Sequence, residues 1–253
     1  MPNVQTVDDL LMEHVLPGDV ILFDRRCQHC QTAPAALACL TNRHFLTSAD
    51  DENFFDVIKG KFDHVGVVVP HPASDAIDAE KYILEFTAGD GVVARPLLSR
   101  LEMSRSRSIL LLPVCLPGEQ RDPNGSDYIE SEKSKAMRAK LTQKMNQFRD
   151  VAIRTSQQNG FGKLHSTLSM AGSIAYAMNI HEKFPFLPVN PSSWLVVSAL
   201  QEAGAAAAVE ERAALNAKPG DFLRDHRFHE GDCVRLRPGW RFMRPVAVRE
   251  NAR

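Results

Sequence analysis

The sequence predicts an α+β fold, an antiparallel sheet packed on helices, with a helical insertion between two parts of the core. Three observations predict it. Short Val-, Ile- and Leu-rich segments bounded by Pro, Gly and Asp turns fill the first half, a long stretch with apolar residues at three-to-four spacing follows, and short apolar segments close the chain. With 253 residues, 44% hydrophobic and 24% charged, the chain is long enough to bury a core and too apolar for disorder. We read one domain over 1–253, its core at about 16–115 and 185–248 and its insertion at about 128–180.

The elements follow in chain order. Val4, Val7, Leu10, Leu11 and Val15 at helical spacing predict a short amphipathic helix. Pro17-Gly18-Asp19 is a turn, and Val20 to Phe23 reads as a buried strand. Residues 24–62 form a mixed insertion with helices over Ala35 to Leu40 and near Asp51 to Ile58. Val65 to Val69 is a second strand, broken by Pro70. Lys81 to Phe86 and Val92 to Arg95 flank Gly89-Asp90-Gly91 as a hairpin, and Ser108 to Cys115 continues the strand series. Pro117 to Ser126 reads as a surface loop. Met137, Leu141, Met145 and Phe148 give Tyr128 to Gln157 one apolar stripe, a long helix that Asn159-Gly160 ends. Leu164 to Met178 reads as helical too. Asn190-Pro191-Ser192-Ser193 opens a helix with a capping residue and an early proline, and Gly204 stops it. Lys218 to Leu223 repeats the Pro-Gly-Asp turn, with closing strands at Cys233 to Leu236 and Phe242 to Val248.

Thirty basic and thirty-one acidic residues leave a formal charge of −1, so no global field draws the protein to nucleic acid. The basic clusters Arg100 to Arg107 and Arg235 to Arg244, the second interleaved with Trp240 and Phe242, read as a basic rim. No apolar stretch approaches the roughly 18 to 20 residues of a membrane span, and the acidic start lacks a secretory leader's pattern. Five cysteines, an odd number thinly spread, point to reduced thiols and a cytoplasmic protein. The oligomeric state is left open.

The chain has no Gly-x-Ser-x-Gly elbow, no His-Glu-x-x-His helix and no complete phosphate loop, and Gly160-Phe161-Gly162-Lys163 reads as a flexible loop. What stands out is an order of elements. A Pro-Gly-Asp strand comes first, then Asp63-His64-Val65-Gly66-Val67 opening a strand, then Leu84-Glu85-Phe86. Late in the chain, Ser192-Ser193-Trp194-Leu195-Val196 begins a helix. This order resembles the circularly permuted, papain-like branch of the NlpC-type hydrolases, relatives of lecithin retinol acyltransferase and of the bacterial permuted papain-like amidases. The resemblance covers roughly residues 16–115 and 185–237. It implies a papain-like sheet or partial barrel, His64 as the catalytic histidine, Glu85 as its orienting residue and the start of the late helix as the nucleophile's place. It implies no cofactor. Where the family has cysteine this chain has Ser192, and where the family often has glutamate it has Trp194.

The residues support a triad on physical grounds as well. A histidine at the start of a strand is held by the ladder, a neighbouring carboxylate sets its tautomer, and a nucleophile at a helix start lies among unpaired N–H groups. Ser192 is then the nucleophile, His64 the base and Glu85 the orienter, with Ser193 supplying an oxyanion N–H and Asp63 beside the site. Ser192 as a helix cap, His64 as a structural histidine and Glu85 as a strand's polar face are the plain alternatives. A hydroxyl does not become a resting anion as a thiol does, so three readings stand: a serine hydrolase or acyltransferase, a binding module that keeps the pocket, and a cysteine hydrolase with serine in the cysteine's place. The substrate would be an amide, ester or thioester of a small-molecule, lipid-like or peptide acyl group. A rival centre, zinc held by Cys27, Cys30, Cys39 and His44 with His29 spare, has suggestive spacing. Cys115 and Cys233 read as core.

Overall fold

The computed structural model describes residues 15–30, 32–46, 61–73, 80–121, 128–158, 170–184, 186–207, 214–223 and 234–248. The predicted helices over Val4 to Val15 and near Asp51 to Ile58 lie outside them, Val15 apart, as does Cys233.

The predicted strands form β1 (Val20–Asp24), β2 (His64–Val69), β3 (Tyr82–Thr87), β4 (Gly91–Pro96) and β5 (Ser108–Leu112). With β10 (Val246–Val248) they make a six-stranded sheet in the order β10-β5-β1-β2-β3-β4, every neighbour antiparallel. The apolar runs of β1 and β2 are continuous because both faces of the sheet are covered. One face turns Val20, Leu22, Val65, Val67 and Leu84 toward a large core, and the other turns Ile21, Phe23, Val68 and Ile83 toward a smaller one.

Pro113 divides the predicted Ser108 to Cys115 strand, because proline cannot donate to the ladder. The short β6 (Val114–Cys115) pairs instead with β9 (Arg241–Phe242). The predicted loop after Pro117 contains β7 (Glu119–Arg121), paired with β8 (Tyr128–Glu130). Near Leu236 the closing strand is reduced to a single bridge with Ala206.

Helix α1 (Ala33–Phe45) follows a 3-10 turn at Cys27–His29, and Thr32 caps it by accepting from the Ala35 N–H at 3.3 Å. Helix α2 (Leu97–Glu102) follows β4 directly and buries Leu97 and Leu101 on the smaller core. Helix α3 (Glu132–Gln158) begins after β8, shorter at its start than the sequence predicts. Residues 170–177 are helical. Helix α4 (Pro191–Glu202) packs Leu195, Val196, Ala199 and Leu200 on the large core.

The long helix differs from its expected place outside the core. Leu141 and Met145 of α3 are buried in the same cluster as α4 and the sheet, so the stripe read from the sequence faces the fold's own centre. Gly18 explains part of this: with φ +97 in the first Pro-Gly-Asp turn, it lets Leu141 approach so closely that a Cβ would lie 2.9 Å from Leu141 Cδ2. Buried charges reinforce the junction. Asp19 accepts from Arg121 Nη1 and Nη2, both at 2.7 Å, and from the Val114 N–H at 2.8 Å. Arg138 of α3 donates to both Glu119 oxygens and to the Pro17 and Val114 carbonyls.

The expected reduced thiols are also corrected. Cys27 and Cys39 form a disulfide, because the 3-10 turn and the early turns of α1 bring their Cα atoms to 5.5 Å, within bridging range. Two of the four proposed zinc ligands are thereby used, and the cysteine argument for a cytoplasmic protein falls away. Among the described residues no helix is long and apolar enough to cross a membrane.

Leu141→Ala is expected to lower unfolding free energy by about 2–5 kcal/mol. Val151→Ala, on the exposed side of the same helix, is expected to stay within about 0.5 kcal/mol. Urea denaturation of both variants checks whether α3 belongs to the core.

Candidate active site

Strand alternation and register bring the predicted histidine and glutamate together. His64 lies opposite Phe23 on β1, and Glu85 lies opposite Gly66 on β2, so both side chains leave the sheet on the face of the smaller core. His64 Nε2 and Glu85 Oε1 are 2.8 Å apart. Gly66 makes the approach feasible: a Cβ there would meet Ile83 Cδ1 at 2.7 Å and Glu85 Cγ at 3.0 Å.

Arg100, which the sequence placed only in a basic rim, completes the arrangement from α2. Its Nε donates to Glu85 Oε2 at 2.8 Å and its Nη2 to Oε1 at 2.9 Å, a two-pronged pairing that matches the planar guanidinium. The guanidinium carbon sits 4.4 Å from the centre of the Phe23 ring, and that ring lies 5.7 Å from the His64 imidazole. The signal that could have found Arg100 was its position one turn beyond β4, which folds α2 back over the strand carrying Glu85.

Burial alone would raise the Glu85 pKa, but the Arg100 guanidinium and the bond with His64 outweigh it and hold the carboxyl far below its ordinary value. Glu85 is therefore an acceptor only, so His64 Nε2 carries the proton and Nδ1 keeps its lone pair. Burial pushes the His64 pKa down, Arg25 and Arg100 push it the same way, and Glu85 opposes them without prevailing. The result is a neutral imidazole with a fixed tautomer and an unprotonated Nδ1.

The helix start sits elsewhere. Asn190, not Ser192, is the N-cap of α4, and its Oδ1 accepts from the Ser193 N–H at 2.9 Å and from Ser192 Oγ at 2.6 Å. Asn190 Nδ2 reaches the Asp63 carbonyl at 3.5 Å, so the first turn of α4 is tied to the start of β2, next to His64. The segment before it is braced by Ser173, whose hydroxyl donates to the Val189 carbonyl at 2.8 Å. Asp63 itself accepts from the Arg25 N–H at 2.8 Å and Arg25 Nε at 2.7 Å, a structural clamp beside the site.

This geometry corrects the oxyanion expectation for Ser193. The Ser193 N–H is used by the cap and is not free to serve as an oxyanion donor; the Ser192 N–H has no acceptor among the described residues. No described hydrogen bond joins Ser192 to His64, and α4 packs on the face of the sheet opposite the imidazole.

His64 opens onto a cleft of about 400 Å³, a size suited to a small ligand. Its walls include Arg25, Arg26, Cys30, Arg100 and Arg105, and Ser192 is not among them. Cys30 is a free thiol here, and burial raises its pKa against the pull of Arg25, so it is no resting thiolate. Among the described residues no group of three or more His, Cys, Asp or Glu is placed to hold a metal. Comparison with protein-family models and with curated proteins returns no match, so the permuted papain-like resemblance rests on the motifs of this chain.

Because the native His64 pKa lies below that of a free histidine, the unfolded chain takes up this proton first as pH falls through about 6.5. Stability is expected to decline from there until the native ring also protonates, with a further loss from Glu85 once pH falls below 4.5. In urea melts at pH 7.5 and 5.5, the wild type should lose more stability than His64→Gln, which keeps a donor for Glu85 but does not titrate. Equal losses would contradict the depressed His64 pKa.

Proposed function

We propose that the protein is a hydrolase or acyltransferase of the permuted papain-like kind, acting on an amide, ester or thioester, with Ser192 as nucleophile and His64 as base. The observation that carries the reading is the buried Glu85–His64 pair, whose charge state and tautomer leave an unprotonated ring nitrogen on a histidine that lines a ligand-sized cleft. The tie from Asn190 to Asp63 supports it, because it keeps the first turn of α4 at the end of β2 that bears His64.

This reading requires the first turn of α4 to move toward the imidazole, since α4 packs on the other face of the sheet; Ser192 Oγ then turns from Asn190 and gives its proton to His64 Nδ1 as it attacks the acyl carbon. The Ser192 N–H, the first-turn amide still without an acceptor, receives the developing oxyanion. The imidazolium stays paired with Glu85 and returns its proton to the leaving group as the acyl bond breaks. Water, or another acceptor, then releases the acyl group from serine by the same transfers in reverse. The acyl substrate would be a small molecule, lipid-like or a peptide.

A specific observation favours a second reading. The Ser192 hydroxyl is held at 2.6 Å by Asn190 and does not line the cleft, as expected of a catalytically silent binding module. Labelling with a broad serine-hydrolase phosphonate, followed by peptide mass spectrometry, separates the two. The hydrolase reading expects label on Ser192 that is lost in His64→Ala. A folded protein that takes no label there is the binding module or a cysteine hydrolase with serine in the cysteine's place.

A further inference from the structure

The cleft is strongly basic on a chain of nearly neutral charge. Three of its arginines are matched to carboxylates: Arg25 to Asp63 at 2.7 Å, Arg100 to Glu85 at 2.8 Å and Arg95 to Asp90 at 3.2 Å. Arg26 and Arg105, both exposed, have no carboxylate partner among the described residues, so two guanidinium charges on the cleft wall are unmatched among those residues.

A second feature points the same way. Ser104 and Ser106 also line the cleft, are 7% and 8% exposed, and have hydroxyls 2.8 Å apart. The bond between them uses one of their two hydroxyl protons. The other has no acceptor among the described residues, so a nearly buried pair offers a spare O–H to the cleft. Surplus guanidinium charge and a surplus hydroxyl proton are both donors, and the group that satisfies both is an acceptor-rich anion.

We infer that the His64 cleft binds a doubly charged oxyanion of the phosphate monoester kind, held by Arg26, Arg105 and the Ser104–Ser106 pair. This rests on the cleft being the ligand site of the proposed function, and it names the substrate class: an acyl compound that also bears a phosphate. Two uncompensated cations favour a dianion over a carboxylate, and arginine's planar fork fits phosphate oxygens in pairs. The chain's overall charge of −1 conceals this, because the surplus is local.

Calorimetric titration of the full chain at pH 7.5 and low salt, with inorganic phosphate and glycerol phosphate, tests it. Saturable one-to-one binding is expected, at least tenfold tighter than acetate and weakened by added sodium chloride. Arg26→Ala/Arg105→Ala should weaken phosphate binding at least tenfold with an unchanged thermal melt, since both side chains are exposed, and Arg26→Lys/Arg105→Lys, which keeps the charge without the fork, should restore only part of it. Phosphatidylcholine vesicles carrying phosphatidate distinguish the source: binding that glycerol phosphate competes away assigns a lipid-borne phosphate, and no binding to them assigns a soluble one. The inference is overturned if phosphate does not saturate, if acetate binds equally well, or if the double alanine variant binds as the wild type does. Phosphate binding without phosphonate label on Ser192 would keep the anion cleft and remove the hydrolase, and label without phosphate binding would do the opposite.

Discussion

A carboxylate cut off from water, that of Glu85, is the constraint on which the site's arrangement depends. An isolated charge in such a place would cost several kcal/mol, and it is stable only because partners surround it. Arg100 supplies two hydrogen bonds and the countercharge, and His64 supplies a third bond. Each partner is fixed in turn. Phe23 lies beneath the guanidinium and beside the imidazole, and Gly66 opens the space through which Glu85 reaches across the strand. The unit orients the imidazole, while burial, helped by Arg25 and Arg100, keeps that imidazole neutral against the pull of Glu85.

The neutral resting imidazole distinguishes this arrangement from a thiolate–imidazolium pair. A resting ion pair needs an imidazole that gains a proton easily, whereas burial and two guanidiniums oppose protonation here. A neutral ring suits a hydroxyl nucleophile, whose proton must be taken during attack. In the proposed reading the serine at the start of α4 and the depressed histidine are therefore consistent with one another. Around them the frame is stiffened by buried ion pairs away from the site, Asp19 with Arg121 and Glu119 with Arg138, which fasten the first strand and its turn to the long helix.

What the sequence disclosed follows from what each pattern encodes. The pairing of His64 with Glu85 was legible from the order of the motifs and the family resemblance they carry, while the register between β2 and β3, which sets it, spans a connection whose length alone does not fix it. The start of α4 was legible from Asn190-Pro191, but the capping role belongs to Asn190, and the use of the Ser193 N–H depends on a side-chain rotamer that no spacing reveals. Leu141 and Met145 announced an apolar stripe without saying what it faces; the close approach at Gly18 answers that only in three dimensions. The Cys27–Cys39 bridge was hidden because a turn of unknown geometry separates the two residues. Arg100 and the arginines around the cleft come from several separate segments, so a composition near neutrality gave no sign of their convergence.

The most direct test of the central claim is the ring of His64 itself, observed by nitrogen-15 NMR on histidine-labelled protein titrated between pH 8 and pH 4. The account predicts that His64 carries its neutral-state proton on Nε2, leaves Nδ1 bare, and titrates below 6.5. A proton on Nδ1 would contradict the Glu85 pairing that sets the tautomer, and a pKa at or above that of a free histidine would contradict the burial that holds the ring neutral.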